Sequence, residues 1–423
     1  MKKIFLFIAL LLGNKLYADD TAALQAMIDA GNTVLPTHHA PYSITRLRLS
    51  HNLNANGNTF NCTLAVGRAI VMDKPGVKFS NAELVGMDDS TNPDGTSGVY
   101  INADNDTVTH VYIHKFTAYG IIGGWGNVPV VTFNRICDIG YVGFFYISDK
   151  RSIKGGTVAF DTIDRSMLSA ETVTQGALLL RGSKEFTSTG WKVHHNLFMM
   201  PYLPKDITSE CFELRFAPNS QIYNNNCNGG SIGISVVRND FVRTYHNKCT
   251  RQKEEGIEYA DSNNGLIKDN TITEQAGLGV LIDGFPPVGC QFDTLLNNTI
   301  QGCKSFGIQL YKDTHDILIS NCTISTSSKA IYLQAAYGVN IRNCRLTGTG
   351  GGTVAVFLDN SVGKVSMKGG SLNGFGHKFF VYGNKGVVSD DISTEGVKVT
   401  GKMSDIDNSL SGGAAMGTNI RVK

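Results

Sequence analysis

The sequence predicts an all-β chain wound into a right-handed parallel β-helix, with a short helix over its N-terminal end. Three observations predict it: a strand-and-bend unit restated every 22 to 28 residues, alternation of apolar and polar positions inside each unit, and many glycines (47) against few prolines (10). Short repeats of this kind cannot bury an apolar face alone, so they stack.

The repeat is plainest around "IEYADSNNGLIKDNTI" (257–272). It is preceded by "FELRFAPNSQIYNNNC" (212–227) and "ISVVRNDFVRTYHNKC" (234–249), and followed by "TLLNNTI" (294–300), "ILISNCTI" (317–324) and "VNIRNCRL" (339–346). Asn225, Asn247, Asn270, Asn298, Asn321 and Asn343 are spaced by 22, 23, 28, 23 and 22 residues. Gly233, Gly256, Gly279 and Gly307 are spaced by 23, 23 and 28. Both rulers stretch where "GFPPVGC" (284–290) intrudes, as one long loop in a solenoid would require. In "GIEYAD", Ile257 and Tyr259 share one face while Glu258 and Ala260 share the other. Such a unit has no room for a helix, and stacking gives roughly a dozen coils. Gly and Asn are expected at the bends for their tolerance of left-handed backbone, and the Asn column is expected to form a hydrogen-bonded ladder.

The remaining elements follow in chain order. Residues 1–18 read as an export signal: Lys2 and Lys3, the apolar run Ile4–Leu12, and "KLYA" ending at Ala18. "DDTAALQAMIDAGNTVLP" (19–36) predicts a capping helix over 21–30 that stops at Gly31. Residues 19–423 form a single domain, with excursions expected near 144–190, 199–209 and 284–290 and a loose tail over 403–423. Cys227 and Cys249 fall in one column with the inward Ile272, and the nine cysteines are expected to act as small core residues carrying free thiols.

Charged residues are 17% and the formal net charge is +2, which argues against a nucleic-acid partner. After signal removal no segment is long and apolar enough to span a membrane, so the expected location is periplasmic or secreted. No CxxC, zinc-spaced His/Cys cluster, P-loop, dinucleotide fingerprint or nucleophile elbow occurs.

The units from Gly98 to about Tyr382 resemble the pectin-lyase-like β-helix superfamily, which includes pectate lyases, polygalacturonases, alginate and chondroitin lyases and phage tailspikes. That resemblance implies a polysaccharide substrate and leaves the reaction open.

Aligning the units places Glu213, Ser235, Glu258, Leu281 and Gln309 in one outward column. Arg215, Val237, Ala260, Asp283, Tyr311 and Gln334 form a second, two residues further along each strand. Glu213 and Glu258 are then about 10 Å apart and Glu258 and Asp283 about 8 Å apart. An inverting glycoside hydrolase needs its two carboxyl groups about 6.5–9.5 Å apart. The expected catalytic residues are therefore Glu213, Glu258 and Asp283 with Arg215, and the expected substrate-binding residues are Glu210, Arg238, Gln309, Tyr311 and Tyr332. As outward residues of a regular coil, Glu213 and Glu258 are expected to matter little for stability.

No cofactor is expected for a hydrolase. The alternative is a calcium-dependent lyase acting by β-elimination on uronic-acid polymers. "ECFELRFAPN" (210–219) with "GISVVR" (233–238) loosely resembles the alginate and chondroitin lyase pattern, which implies Glu210 as a calcium ligand, Arg215 as the basic residue and Arg238 as the later Arg. The family's base is Lys, and Arg holds its proton harder. A non-catalytic polysaccharide-binding or adhesive β-helix is the third possibility. "DTHD" (313–316) is similar in letters to the epimerase run but is expected to be an ordinary bend, and the His pairs at 38–39 and 194–195 are expected to be bend or strand residues.

Overall fold

The computed structural model describes residues 19–421, apart from 89, 169–172, 174, 203–208, 287–288, 351–352, 361, 383–387, 402, 408–414 and 417–419. The export signal at 1–18 lies outside the described residues, as do parts of all three excursions and of the tail. The chain is a right-handed parallel β-helix of about 14 turns. Three strands per coil build three sheets, illustrated at mid-chain. In the first sheet Glu210–Arg215 pairs with Ile232–Val237 and that with Glu255–Ala260, all parallel. Gln221–Tyr223 and Arg243–Tyr245 belong to the second sheet, Asn226–Asn228 and Lys248–Thr250 to the third.

Inward side chains stack in columns along the axis. Ile234, Ile257, Val280, Ile308 and Ile331 are fully buried and lie on successive rungs. Cys227, Cys249 and Ile272 do the same in the third sheet, and all nine cysteines are buried free thiols. Outward neighbours on the short strands stay half-exposed or exposed, the alternation read from the sequence. At the N-terminal end, helix α1 (Thr21–Asp29) lays Leu24 and Ile28 on the first coil, and Gly31 ends it at φ +82°.

The polar ladder forms, but its membership differs from the spacing ruler. Asn196, Asn225, Asn247, Asn270 and Asn298 are buried, and each of the first four donates Nδ2 to the Oδ1 of the next at 2.9–3.1 Å. Each also donates to a main-chain carbonyl one coil back, as Asn247 does to Ile222 at 2.9 Å. The residue before each ladder position takes the left-handed conformation: His195, Asn224, His246, Asp269 and Asn297. Asn321 and Asn343 belong to that left-handed set, and the buried cysteines Cys322 and Cys344 hold the ladder positions. Asn298 accordingly donates to the Cys322 sulfur at 3.9 Å.

The glycine column has a different cause from the one expected. Gly233, Gly256, Gly279 and Gly307 are not in the left-handed region. A Cβ on Gly256 would lie 2.4 Å from Ile272 Cγ2 and 2.8 Å from the Gly279 carbonyl, so close packing of coils excludes any side chain.

The irregular stretch 144–190 contains regular rungs at Val142–Ile147, Thr157–Ala159, Thr162–Asp164 and Leu178–Arg181. Its departures lie between these. Ile153–Lys154 and Ser188–Thr189 pair in a separate small sheet beside the solenoid. Arg165 is fully buried and donates to the carbonyls of Ile139, Gly140, Gln175 and Gly176, which ties the return of one excursion to the coil.

Asp161 occupies a ladder position between Asn134 and Asn196. Its Oδ1 accepts from Asn134 Nδ2 at 2.9 Å, while Oδ2 is buried with no protein partner. An Asn would present a donor there. Burial pushes the Asp161 carboxyl up to about 7. The folded value exceeds the ordinary 3.8, so the ladder is fully favourable below about pH 4 and loses stability as pH rises through about 7. Asp161→Asn is expected to stabilise the fold, with a urea-midpoint gain larger near pH 8 than near pH 4.5, at roughly 1.4 kcal/mol per pKa unit relieved. Equal gains at both pH values would contradict a protonated ladder carboxyl. Asn247→Ala should cost about 1–3 kcal/mol at either pH, because it strands the Asn225 amide in the core.

Candidate active site

The outer face of the first sheet carries the candidate residues on flat, regular strands. Glu213, Ser235, Glu258, Leu281, Gln309 and Tyr332 lie on consecutive rungs, as do Arg215, Val237, Ala260, Asp283, Tyr311 and Gln334. Each strand's position is set by main-chain pairing, so these side chains project from fixed points about 4.8 Å apart.

Glu213 is not an ordinary outward carboxylate. It is 1% exposed and lies between two arginines. Arg181 donates Nε to Oε1 at 2.6 Å and Nη2 to Oε2 at 2.9 Å, and Arg215 approaches the same oxygens at 3.1 and 3.3 Å. Held by two guanidinium groups and buried, this carboxyl is tied into ion pairs and turned away from any substrate. This burial and pairing stand against the expectation that Glu213 matters little for stability. Arg215, to which the lyase resemblance gave the role of the basic residue, has its guanidinium beside Glu213.

The other carboxyl groups of the strip are pushed the opposite way. Burial raises Glu258, reinforced by Asp283 and Glu213, although Ser235 Oγ donates to its Oε2 at 2.5 Å. Burial and then Glu213 raise Glu210 to about 7. Burial and then Glu258 raise Glu255 to about 8. Asp283 is raised to about 6 by burial, with Lys312 opposing and Asp261 adding to the rise. Its Oδ1 is buried and has no hydrogen-bond partner.

Beyond Asp283 the strands turn into a groove of about 440 Å³ lined by Phe216, Arg238, Asp261 and Phe285 among others. Arg238 takes φ +54°, packs over Phe216 and approaches Asp261 at 3.5 Å. Lys312 packs over Tyr311 and Phe285 at 4.5 and 4.4 Å. Tyr311 and Arg238 thus border the carboxyl groups. Tyr332 sits three rungs from Glu258, roughly 14 Å away, stacked between Phe306 and Phe357 at 4.6 and 5.4 Å. Gln309 lies between the two groups. A wider groove of about 650 Å³, with Phe241, Arg243 and Phe292 in its wall, lies over the second sheet, away from this strip.

Two residues of the strip escaped sequence alignment. Arg181 falls in the stretch 144–190, where no rung had been recognised. Glu255 precedes Gly256, one place before the alternation was read. The visible signal for Glu255 is the acidic pair "EE" directly before a column glycine. The "DTHD" run, expected to be a bend, instead ends the strand Phe306–His315 after a register shift at Tyr311/Thr314, and His315 bonds the adjacent Asp316 at 3.1 Å. His194 and His195 lie at the second-sheet bend, stacked on Tyr223 and Phe160. Among the described residues no group of three or more His, Cys, Asp or Glu is arranged to hold a metal ion.

Residues 193–365 match the family described as periplasmic copper-binding protein (NosD). No curated protein matches. Solved structures similar in fold include the A-module of a mannuronan C-5 epimerase from Azotobacter vinelandii (14% identity, TM-score 0.47, 95% of this chain and 96% of that one). PfbA, a surface adhesin of Streptococcus pneumoniae, is another (11% identity, TM-score 0.45, 87% and 90% covered). A third is the catalytic unit of an α-1,3-glucanase from Streptomyces thermodiastaticus (14% identity, TM-score 0.40, 92% and 67% covered). No helix among the described residues is long and apolar enough to cross a membrane.

Removing the Glu213 charge leaves two facing guanidinium groups beside each other. Glu213→Gln is expected to lower stability by about 1–3 kcal/mol, discounted for the partial exposure of both arginines. Adding Arg181→Met to Glu213→Gln should recover part of that loss. A thermal midpoint unchanged in the single variant would show that the bridge contributes nothing.

Proposed function

We propose that this protein is a periplasmic or secreted polysaccharide-cleaving glycoside hydrolase of the inverting type, with Glu258 as general acid and Asp283 as general base. The observation that carries this is the diagonal placement of Glu258 and Asp283 on neighbouring rungs, about 8 Å apart, both raised by burial. Glu258, whose carboxyl burial pushes up, gives its proton to the glycosidic oxygen as the C–O bond breaks. Asp283, ionised above about pH 6, takes a proton from the water that attacks the anomeric carbon from the opposite side. Glu213, locked between Arg181 and Arg215, is a positioning residue. Tyr311 borders the carboxyl groups on the same side of the solenoid, while Tyr332, its ring faces covered by Phe306 and Phe357, offers a sugar only its edge.

The pairing of Arg215 with Glu213 counts against its service as the base in the lyase alternative. The non-catalytic binding alternative predicts retention of a polysaccharide without turnover.

Glu258→Gln and Asp283→Asn are each expected to reduce the release of new reducing ends by on the order of a hundredfold or more while the thermal midpoint holds. The wild-type rate should climb as pH passes about 6 and Asp283 ionises. Products carrying the ultraviolet absorbance of an unsaturated uronate would replace this assignment with elimination. Full activity in both variants would remove the strip from catalysis.

A further inference from the structure

Where each first-sheet strand turns toward the second sheet, one bend position repeats on successive coils. Asn219, Phe241, Asn264 and Phe292 occupy it, and all four take a left-handed φ of +57° to +60°. The main-chain N–H of each of the first three donates to the residue just before the next member, which stacks the four rung by rung. Asn tolerates this conformation through its short polar side chain, whereas a bulky Phe is strained in it. Such strain persists where something offsets it. For Phe133 and Phe160, also left-handed, the offset is internal, because the two rings stack face to face at 4.8 Å. Phe241 and Phe292 have no such offset: each is 56% exposed, and the coil between them carries an exposed Asn264. Phe292 meets His315 in a T-shaped contact at 6.3 Å, and His315 belongs to the following coil, away from Phe241.

These two rings stand in the wall of the groove of about 650 Å³ over the second sheet, with Asn264, Gln221 and Arg243 around them. Two rungs set the phenylalanines about 10 Å apart at Cα. A flat six-membered sugar ring needs roughly 4 Å to an aromatic face on each side, about 8 Å in all. The gap therefore fits one sugar ring between two aromatic faces. Asn264 and Gln221 each carry an amide donor and acceptor, and Arg243 carries donors, which suits a rim of hydroxyl groups. Aromatic faces are electron-rich and attract the slightly positive C–H bonds of a pyranose. A pyranose whose hydroxyls are all equatorial turns C–H bonds to both faces at once, whereas an axial hydroxyl would press its oxygen on one of them.

From this we infer that the groove is a second polysaccharide-binding site, separate from the strip, in which Phe241 and Phe292 clamp one residue of a β-linked chain of gluco configuration. It holds the chain and breaks no bond, so it stands independently of the hydrolase assignment.

The test is calorimetric titration of the full chain carrying Glu258→Gln, so that the strip consumes no ligand. The probes are cellohexaose, mannohexaose with its axial O2, and oligogalacturonate with its axial O4. Cellohexaose is expected to bind roughly tenfold tighter than either. Phe241→Asn and Phe292→Asn install the residue that the alternate coils already carry. Each should weaken cellohexaose binding by roughly tenfold or more and at the same time raise the thermal midpoint, because the strained bend is relieved. A loss of binding with a raised midpoint separates a lost ligand contact from a damaged fold. Undiminished binding in both Asn variants, or no binding of cellohexaose at all, overturns the site. Mannohexaose or oligogalacturonate bound as tightly as cellohexaose overturns the two-faced clamp. A midpoint that fails to rise in either variant overturns the reading that these rings are held exposed at the expense of the fold.

Discussion

Parallel main-chain pairing between successive coils is the constraint on which everything else in this molecule depends. Once one coil is laid down, the next is fixed to it in register, rung by rung, about 4.8 Å further along the axis. The buried amide ladder from Asn196 to Asn298 closes a corner where the strands themselves leave polar groups to satisfy. The glycine column from Gly233 to Gly307 lets neighbouring coils approach closely enough for that pairing to continue. Each device repeats because the geometry it serves repeats.

A surface made this way places chemistry with little freedom. Residues two apart on a strand point the same way, and the same position on the next coil lies one strand spacing away. Carboxyl groups at such points are forced into each other's field, and burial beneath neighbouring side chains amplifies the effect. The strip resolves this in two ways. Glu213 is neutralised by two guanidinium groups, whereas Glu258, Glu255 and Glu210 are raised and hold their protons more tightly. One scaffold position thus yields an ion-paired carboxyl, and its neighbours Glu210 and Glu255 yield groups able to exchange protons near neutrality.

Departures from regularity lie where the coil does not constrain them. The small sheet of Ile153–Lys154 and Ser188–Thr189 stands outside the solenoid, anchored nearby by Trp191, whose Nε1 donates to Ser188 Oγ at 2.6 Å. Arg165 does similar anchoring from inside, with main-chain carbonyls as its partners. Asp161 shows that the ladder tolerates a carboxyl in place of an amide when that carboxyl keeps its proton.

The fold was legible in the sequence because a stacked repeat converts spacing directly into geometry. The Asn and Gly rulers gave the period, "GIEYAD" gave the inward and outward faces, and Leu24 and Ile28 marked the buried face of the cap. The columns through Glu258 and Asp283 could be laid out from that period alone. Sequence could not show that Asn321 and Asn343 step out of the ladder, since the left-handed bend residue and the ladder residue are adjacent and both favour Asn. Nor could it reveal Arg181, whose rung follows an insertion that breaks the period. The ionisation of the strip was decided only in three dimensions. Charge and burial depend on neighbours from coils more than twenty residues away, and the Arg181 partner that ties Glu213 into an ion pair is 32 residues upstream in the chain.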